Sequence, residues 1–102
     1  MAIINLTKDN FQEETSEGKV LIDFWADWCG PCKTMGPVLE EMDGEPHDFK
    51  ICKVNVDEQQ ELAQKFQIRS IPTMVVLKDG QQAAVTVGAQ PKANVVNLVN
   101  NA

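Results

Sequence analysis

Val20-Leu21-Ile22-Asp23-Phe24-Trp25-Ala26, running straight into Asp27-Trp28-Cys29-Gly30-Pro31-Cys32-Lys33, is the stretch that decides the fold. Its first seven residues hold a single charge among apolar side chains, the pattern of a central strand covered on both faces. From Cys32 the period changes. Met35, Val38, Leu39 and Met42 follow the i, i+3, i+4, i+7 template of one helix face. Gly36 and Pro37 interrupt this helix, Pro37 should kink it, and Gly44 and Pro46 end it. A buried strand thus gives way to a helix, and both cysteines of a C-x-x-C pair lie in the changeover.

Outward from this centre, helical and strand periods alternate without repeats or linkers. Upstream, Ala2 to Asn5 is a short strand, and Asn10 to Glu17 a short helix with Asn10 as N-cap, Glu13 three residues on and Gly18 closing it. Downstream, Phe49 to Val56 (FKICKVNV) is a strand, and Glu58 to Phe66 a helix with Leu62 and Phe66 inward. Met74 to Leu77 and Ala83 to Val87 flank Lys78-Asp79-Gly80, which predicts an antiparallel hairpin. Pro91 opens a last helix with Val95, Leu98 and Val99 facing the core. The order is βαβαβαββα. Crossovers make part of the sheet parallel and the hairpin makes the rest antiparallel, so the class is α/β around one mixed sheet.

Composition narrows what such a domain does. The 102 residues make a single domain, 1–102, able to bury one core. Net charge is −6, and nine basic residues are scattered rather than striped, so no nucleic acid is expected as partner. No apolar run approaches the roughly 20 residues that span a bilayer, so no membrane is expected either. Met1 to Lys8 lacks a charged region followed by an apolar one, which predicts no secretory signal and a cytoplasmic location. Three cysteines are too few for a disulfide framework. In a reducing compartment a C-x-x-C pair is redox-active or metal-binding.

The chemistry of the pair follows from its placement. The first cysteine at a helix N-terminus meets unpaired N–H groups and the positive dipole end, which favour a thiolate. Thiolate is the species that attacks a disulfide sulfur. Two intervening residues bring the second sulfur close enough to resolve the mixed disulfide. Pro31 suits a first helical turn, and Gly30 lets a substrate backbone approach. The competing use is a zinc site written as Cys29, Cys32, His47 and Cys52. Against it, Cys52 stands mid-strand among apolar residues, where it packs as an inert core thiol, and Asp23 is left unexplained.

Asp23 should be buried, at a cost or with a raised pKa. Strand alternation places it with Leu21 and Trp25, opposite Ile22 and Phe24. Lys53 sits similarly in the next strand, either as a surface lysine snorkelling to water or, if the strands are neighbours, reaching Asp23 to balance its charge. Such an acid near the sulfurs is a proton acceptor and donor. Ile71-Pro72-Thr73 precedes a strand, where proline is tolerated, and the ordinary expectation for its peptide bond is trans.

The run VLIDFWADWCGPCK, followed by KVNVD, Ile71-Pro72-Thr73, LKDG and Val87-Gly88-Ala89, closely resembles the thioredoxin family over essentially the whole chain. The resemblance implies the thioredoxin fold, with a central five-stranded mixed sheet flanked by helices on both faces, and general protein-disulfide reductase activity. It implies that Cys29 attacks and Cys32 resolves, that Asp23 exchanges protons with the resolving thiol, and that Lys53 is its charged neighbour. Pro72 matches the family's cis-proline, with Ile71 offering its backbone to an extended substrate. Trp28, Gly30, Pro31, Gly88 and Ala89 match the contact surface around the sulfur. Electrons would come from an NADPH-dependent thioredoxin reductase. Disulfide-containing proteins of the peroxiredoxin, methionine sulfoxide reductase or ribonucleotide reductase types would receive them. The chain itself would be a monomer holding no cofactor and no metal.

Four positions depart from the family pattern. Asp43-Gly44-Glu45-Pro46-His47 breaks the second helix early, Gly36 loosens it by up to about 1 kcal/mol, Pro91 stands where Ser or Thr caps are common, and Cys52 is an added thiol. Outside the enzyme class, the rival is a redox-inactive interaction subunit, which normally goes with loss of one active-site cysteine. Both are present. Within the class, Pro31 where an isomerase or oxidant has histidine favours a reductant.

Overall fold

The structure, a computed structural model, describes residues 2–102. Its elements are β1 (Ile4–Asn5), α1 (Phe11–Thr15), β2 (Lys19–Trp25), α2 (Cys32–Asp43), β3 (Lys50–Asn55), α3 (Gln60–Lys65), β4 (Thr73–Lys78), β5 (Gln81–Val87) and α4 (Lys92–Asn100). The expected βαβαβαββα order is the one found. Five strands form one sheet in the order β1-β3-β2-β4-β5, with β2 in the middle. β2 pairs with β3 in parallel and with β4 antiparallel, so one strand joins the two halves of the mixed sheet.

Both faces of β2 are covered, which is why its sequence lacks alternation. Val20, Ile22 and Phe24 enter one core with Phe11 of α1 and Leu62 of α3. Leu21 enters the other with Met35, Leu39 and Met42 of α2 and Val95 and Val99 of α4. Each of these large side chains contributes roughly 1.5–3 kcal/mol on burial. Val38 and Leu98, expected inward, are only partly buried at the edge of the second core.

The hairpin follows the Asp-Gly signal. Lys78 pairs with Gln81, leaving Asp79 and Gly80 as a two-residue turn with φ of 51° and 83°. Two positive φ values match the strand twist and favour this dipeptide. β5 begins two residues earlier than expected. Asp79 also holds the start of β2, since its Oδ1 accepts from Gly18 N–H at 2.8 Å and its N–H donates to the Gly18 carbonyl at 2.9 Å.

Asn10 departs from the expected capping box. Its side chain makes no cap bond to α1. Oδ1 accepts instead from Thr7 N–H at 2.7 Å, and Nδ2 donates to the Asn5 carbonyl at 3.1 Å. The side chain is spent on the preceding turn, so Glu13 has no reciprocal partner there. α2 ends at Gly44 as expected, with Lys92 at the start of α4 ion-paired to Glu41 and Glu45.

Cys52 is fully buried between Ile22 and Ile4 in register. Burial pushes its thiol up to about 12, Glu14 adding to the effect and Lys50 opposing it. Because thiolate is the reacting species, Cys52 should alkylate with iodoacetamide roughly a thousandfold more slowly than a free cysteine at neutral pH. Mass spectrometry of the native reduced protein, against a urea-unfolded control, measures this. Rapid labelling of Cys52 in the native protein would count against an inert core residue.

Candidate active site

β2 ends at Trp25, and the chain turns before α2, with Cys29 N–H donating to the Ala26 carbonyl at 3.2 Å. Pro31 takes helical angles, φ −60° and ψ −28°, at the cap position, so α2 proper begins one residue later, at Cys32. No side-chain oxygen caps this helix. The Cys32 N–H instead points to Cys29 Sγ at 3.2 Å, so sulfur occupies the place of a capping acceptor. On reduction, that N–H and the helix dipole favour negative charge on Cys29. A disulfide joins Cys29 to Cys32, with Cα atoms 5.3 Å apart.

Asp23 lies on β2 two residues before Trp25, on the face of Leu21, as strand alternation predicts. It is 1% exposed, and neither carboxylate oxygen has a hydrogen-bond partner among the described residues. Burial pushes its pKa up to about 6, with Lys53 opposing the rise. Lys53 is its register partner across the parallel β2–β3 pair. Lys53 does not close an ion pair, however. Among the described residues no Asp23–Lys53 contact falls within 4 Å, and the Lys53 Nζ lies 4.7 Å from the centroid of the Trp25 ring. The cation is thus held near the acid by an aromatic face. Its charge is only partly balanced, and desolvation prevails. A cavity of about 190 Å³ is lined by Trp25, Ala26, Asp27, Cys32, Lys33, Gly36 and Lys53, with room for water beside the Cys32 sulfur.

The segments expected around the sulfurs converge there. Ile71 packs against the cluster of Ala26, Cys29 and Cys32. The Ile71–Pro72 bond is cis, against the ordinary expectation from sequence and as the family resemblance implied. Pro72 is buried, and its carbonyl accepts from Gly88 N–H at 2.7 Å, which ties the Gly88-Ala89 segment to the proline loop. Gly30, Pro31 and Ala89 are exposed, and Trp28 is 70% exposed. The zinc set does not assemble. His47 bonds to the Phe49 carbonyl and Asp43, and Cys52 faces the core with Ile22, opposite to Asp23. Among the described residues no three His, Cys, Asp or Glu side chains are grouped to hold a metal.

Asp57 was missed by sequence reasoning. Its Oδ2 accepts from Trp28 Nε1 at 2.8 Å and fixes the exposed indole. The signal was present: Trp28 follows β2 and Asp57 follows β3, and parallel neighbours end on the same edge of the sheet.

Comparison with known proteins agrees with this geometry. The thioredoxin family profile matches residues 2–101. Thioredoxin of Bacillus subtilis is 55% identical over 98% of this chain and 97% of its own length. That of Staphylococcus haemolyticus is 48% identical over 98% and 97%. The crystal structure of Malassezia sympodialis thioredoxin superposes with a TM-score of 0.89 at 39% identity, covering 97% of this chain and 90% of that one. The chain belongs to the thioredoxin family. As a member of this family with its C-x-x-C pair at a helix start, it is a protein-disulfide reductase, a thiol–disulfide oxidoreductase served by a reductase and acting on disulfide substrates. Its thioredoxin fold is the five-stranded mixed sheet with two helices on each face. No described helix is long and apolar enough to cross a membrane.

Proposed function

We propose that Cys29 is the attacking thiolate, Cys32 the resolving thiol and Asp23 the group that takes the proton of Cys32, with Lys53 tuning Asp23. Cys29 thiolate attacks one sulfur of a substrate disulfide. A Cys29–substrate S–S bond forms, the substrate bond breaks, and the released thiolate takes a proton from water. Cys32 then gives its proton to Asp23 and attacks Cys29 sulfur, which expels the second substrate thiolate and closes the Cys29–Cys32 disulfide. Two electrons pass to the substrate, and the chain ends oxidised. The observation that supports this reading most is the Cys32 N–H on Cys29 Sγ at the start of α2, a contact that favours negative charge on that sulfur.

Trp28, Gly30, Pro31, Ile71, Pro72, Gly88 and Ala89 form the substrate surface in this reading. Its support is the packing of Ile71 on the cysteine cluster and the Gly88–Pro72 hydrogen bond. The chain acts as one domain and a monomer in the cytoplasm, where NADPH-dependent thioredoxin reductase returns it to the dithiol. Peroxiredoxins, methionine sulfoxide reductases and ribonucleotide reductase are the substrate types.

A coupled assay tests this. With NADPH, a bacterial thioredoxin reductase and insulin, the protein should drive NADPH oxidation and precipitate insulin chains, each dependent on all components. Insulin reduction by dithiothreitol at the protein-free rate would overturn the reading.

A further inference from the structure

Between the end of β5 at Val87 and the start of α4 at Lys92 the chain has no regular structure to hold it. Gly88, the first residue of this stretch, has φ +94°. Two hydrogen bonds from backbone N–H groups hold the stretch. At one end Gly88 N–H donates to the Pro72 carbonyl. At the other, Gln90 N–H donates to Met35 Sδ at 3.3 Å. Gln90 Oε1 also accepts from Asn94 Nδ2 at 3.2 Å, which braces its side chain to α4.

Met35 is fully buried, one turn into α2 beyond Cys32, among Leu21, Leu39 and Met74. Apolar packing alone accounts for an apolar residue there. It does not require sulfur, and a thioether is an acceptor no hydrocarbon side chain supplies. Through that atom the helix that begins with Cys32 is tied to the segment carrying Gly88 and Ala89.

We propose that Met35 is a positioning residue for disulfide exchange, its sulfur holding the Gly88–Gln90 segment at a fixed distance from the cysteine pair. This rests on the assignment of Gly88 and Ala89 to the substrate surface. Met35 touches no reacting atom. It sets where the substrate's backbone is gripped, so its loss acts on the protein substrate and leaves the sulfur chemistry alone.

Met35→Leu keeps the volume and removes the acceptor, a swap that cores usually tolerate. Met42→Leu, in the same core but off this segment, is the control. In Met35→Leu only, hydrogen exchange at the Gln90 amide should quicken about threefold to tenfold, the scale of one lost hydrogen bond. KM for insulin should rise by a similar factor at constant kcat, while alkylation of Cys29 by iodoacetamide keeps its rate. Unchanged exchange at Gln90 would overturn the tether. A fall in kcat or in Cys29 alkylation with KM unchanged would make Met35 a packing residue and overturn the positioning role. A third arm separates this from the substrate assignment: Gly88 and Ala89 amide shifts should move when Cys32→Ser protein is trapped on a peptide thiol as a mixed disulfide. If they stay still while Gln90 exchange quickens, the tether stands but the substrate assignment fails, and the positioning role fails with it.

Discussion

Cys29→Ser should bring insulin reduction down to the uncatalysed rate, and Cys32→Ser should instead accumulate a covalent complex with its substrate. The first change removes the sulfur that the Cys32 N–H faces, and a hydroxyl oxygen forms no S–S bond in exchange. The second leaves the attack intact but deletes the thiol that resolves it in the proposed mechanism. Non-reducing electrophoresis after mixing with oxidised substrate reads both results. The complex should appear with Cys32→Ser, vanish on adding dithiothreitol and be absent with Cys29→Ser. The opposite pattern would reverse the two roles, and full turnover by either variant would remove that cysteine from the mechanism.

Asp23→Asn should stabilise the protein at neutral pH and slow the resolving step. The carboxyl is raised from 3.8 to about 6 by desolvation, against the pull of Lys53. A raised folded pKa means that ionisation costs more in the folded state than in the unfolded one. The destabilisation is therefore absent below pH 3.8, grows as pH rises through the window, and is complete above about pH 6. A shift of that size corresponds to a few kcal/mol, on the order of 3. Urea unfolding of variant and parent should give similar stabilities near pH 3.5 and a gap of that order at pH 7.5. Activity should move the other way. A positioned acid–base group contributes about 10²–10⁴ in rate, and water in the cavity beside Cys32 can take up part of the role, so a loss of about tenfold or more is expected. In single turnover the mixed disulfide should form at the parent's rate and decay slowly. A variant that is less stable at pH 7.5 and fully active would reduce Asp23 to a structural residue.

Much of the fold and of the site is legible in the residues alone, for reasons that differ from one to the next. Val20–Ala26 announces a central strand because both its faces are buried, and the parity of that strand alone puts Asp23 opposite Ile22 and Phe24. Asp79-Gly80 announces the hairpin because its turn needs two positive φ values. Asn10 misleads because an asparagine before a helix has several backbone groups in reach, and here Thr7 and Asn5 take it. Lys53 is opposite Asp23 as expected, but the pull of the Trp25 ring on its Nζ depends on rotamers that strand patterns do not encode. The cis bond before Pro72 has no local sequence signature and is implied only by family resemblance. Met35 and Asp57 serve through a sulfur and a carboxylate that meet partners far along the chain, Gln90 and Trp28. Such pairings exist only once the sheet has brought its edges together.

The sheet order also sets a timetable. Asp23, Cys29 and Cys32 are synthesised in the first third of the chain, whereas β4, which flanks β2, and the Gly88 that bonds to Pro72 come in the last third. At ribosomal speeds of roughly 5–20 residues per second, the cysteines precede Gly88 by roughly 3–11 s. Until Asn55 is made β2 lacks both its neighbours, and until Lys78 it lacks β4, so for most of that interval the pair is a peptide dithiol open to any oxidant. A nascent chain halted before β4 should therefore carry cysteines with the reactivity of an unstructured peptide, and the enzyme's selectivity is acquired only as translation finishes.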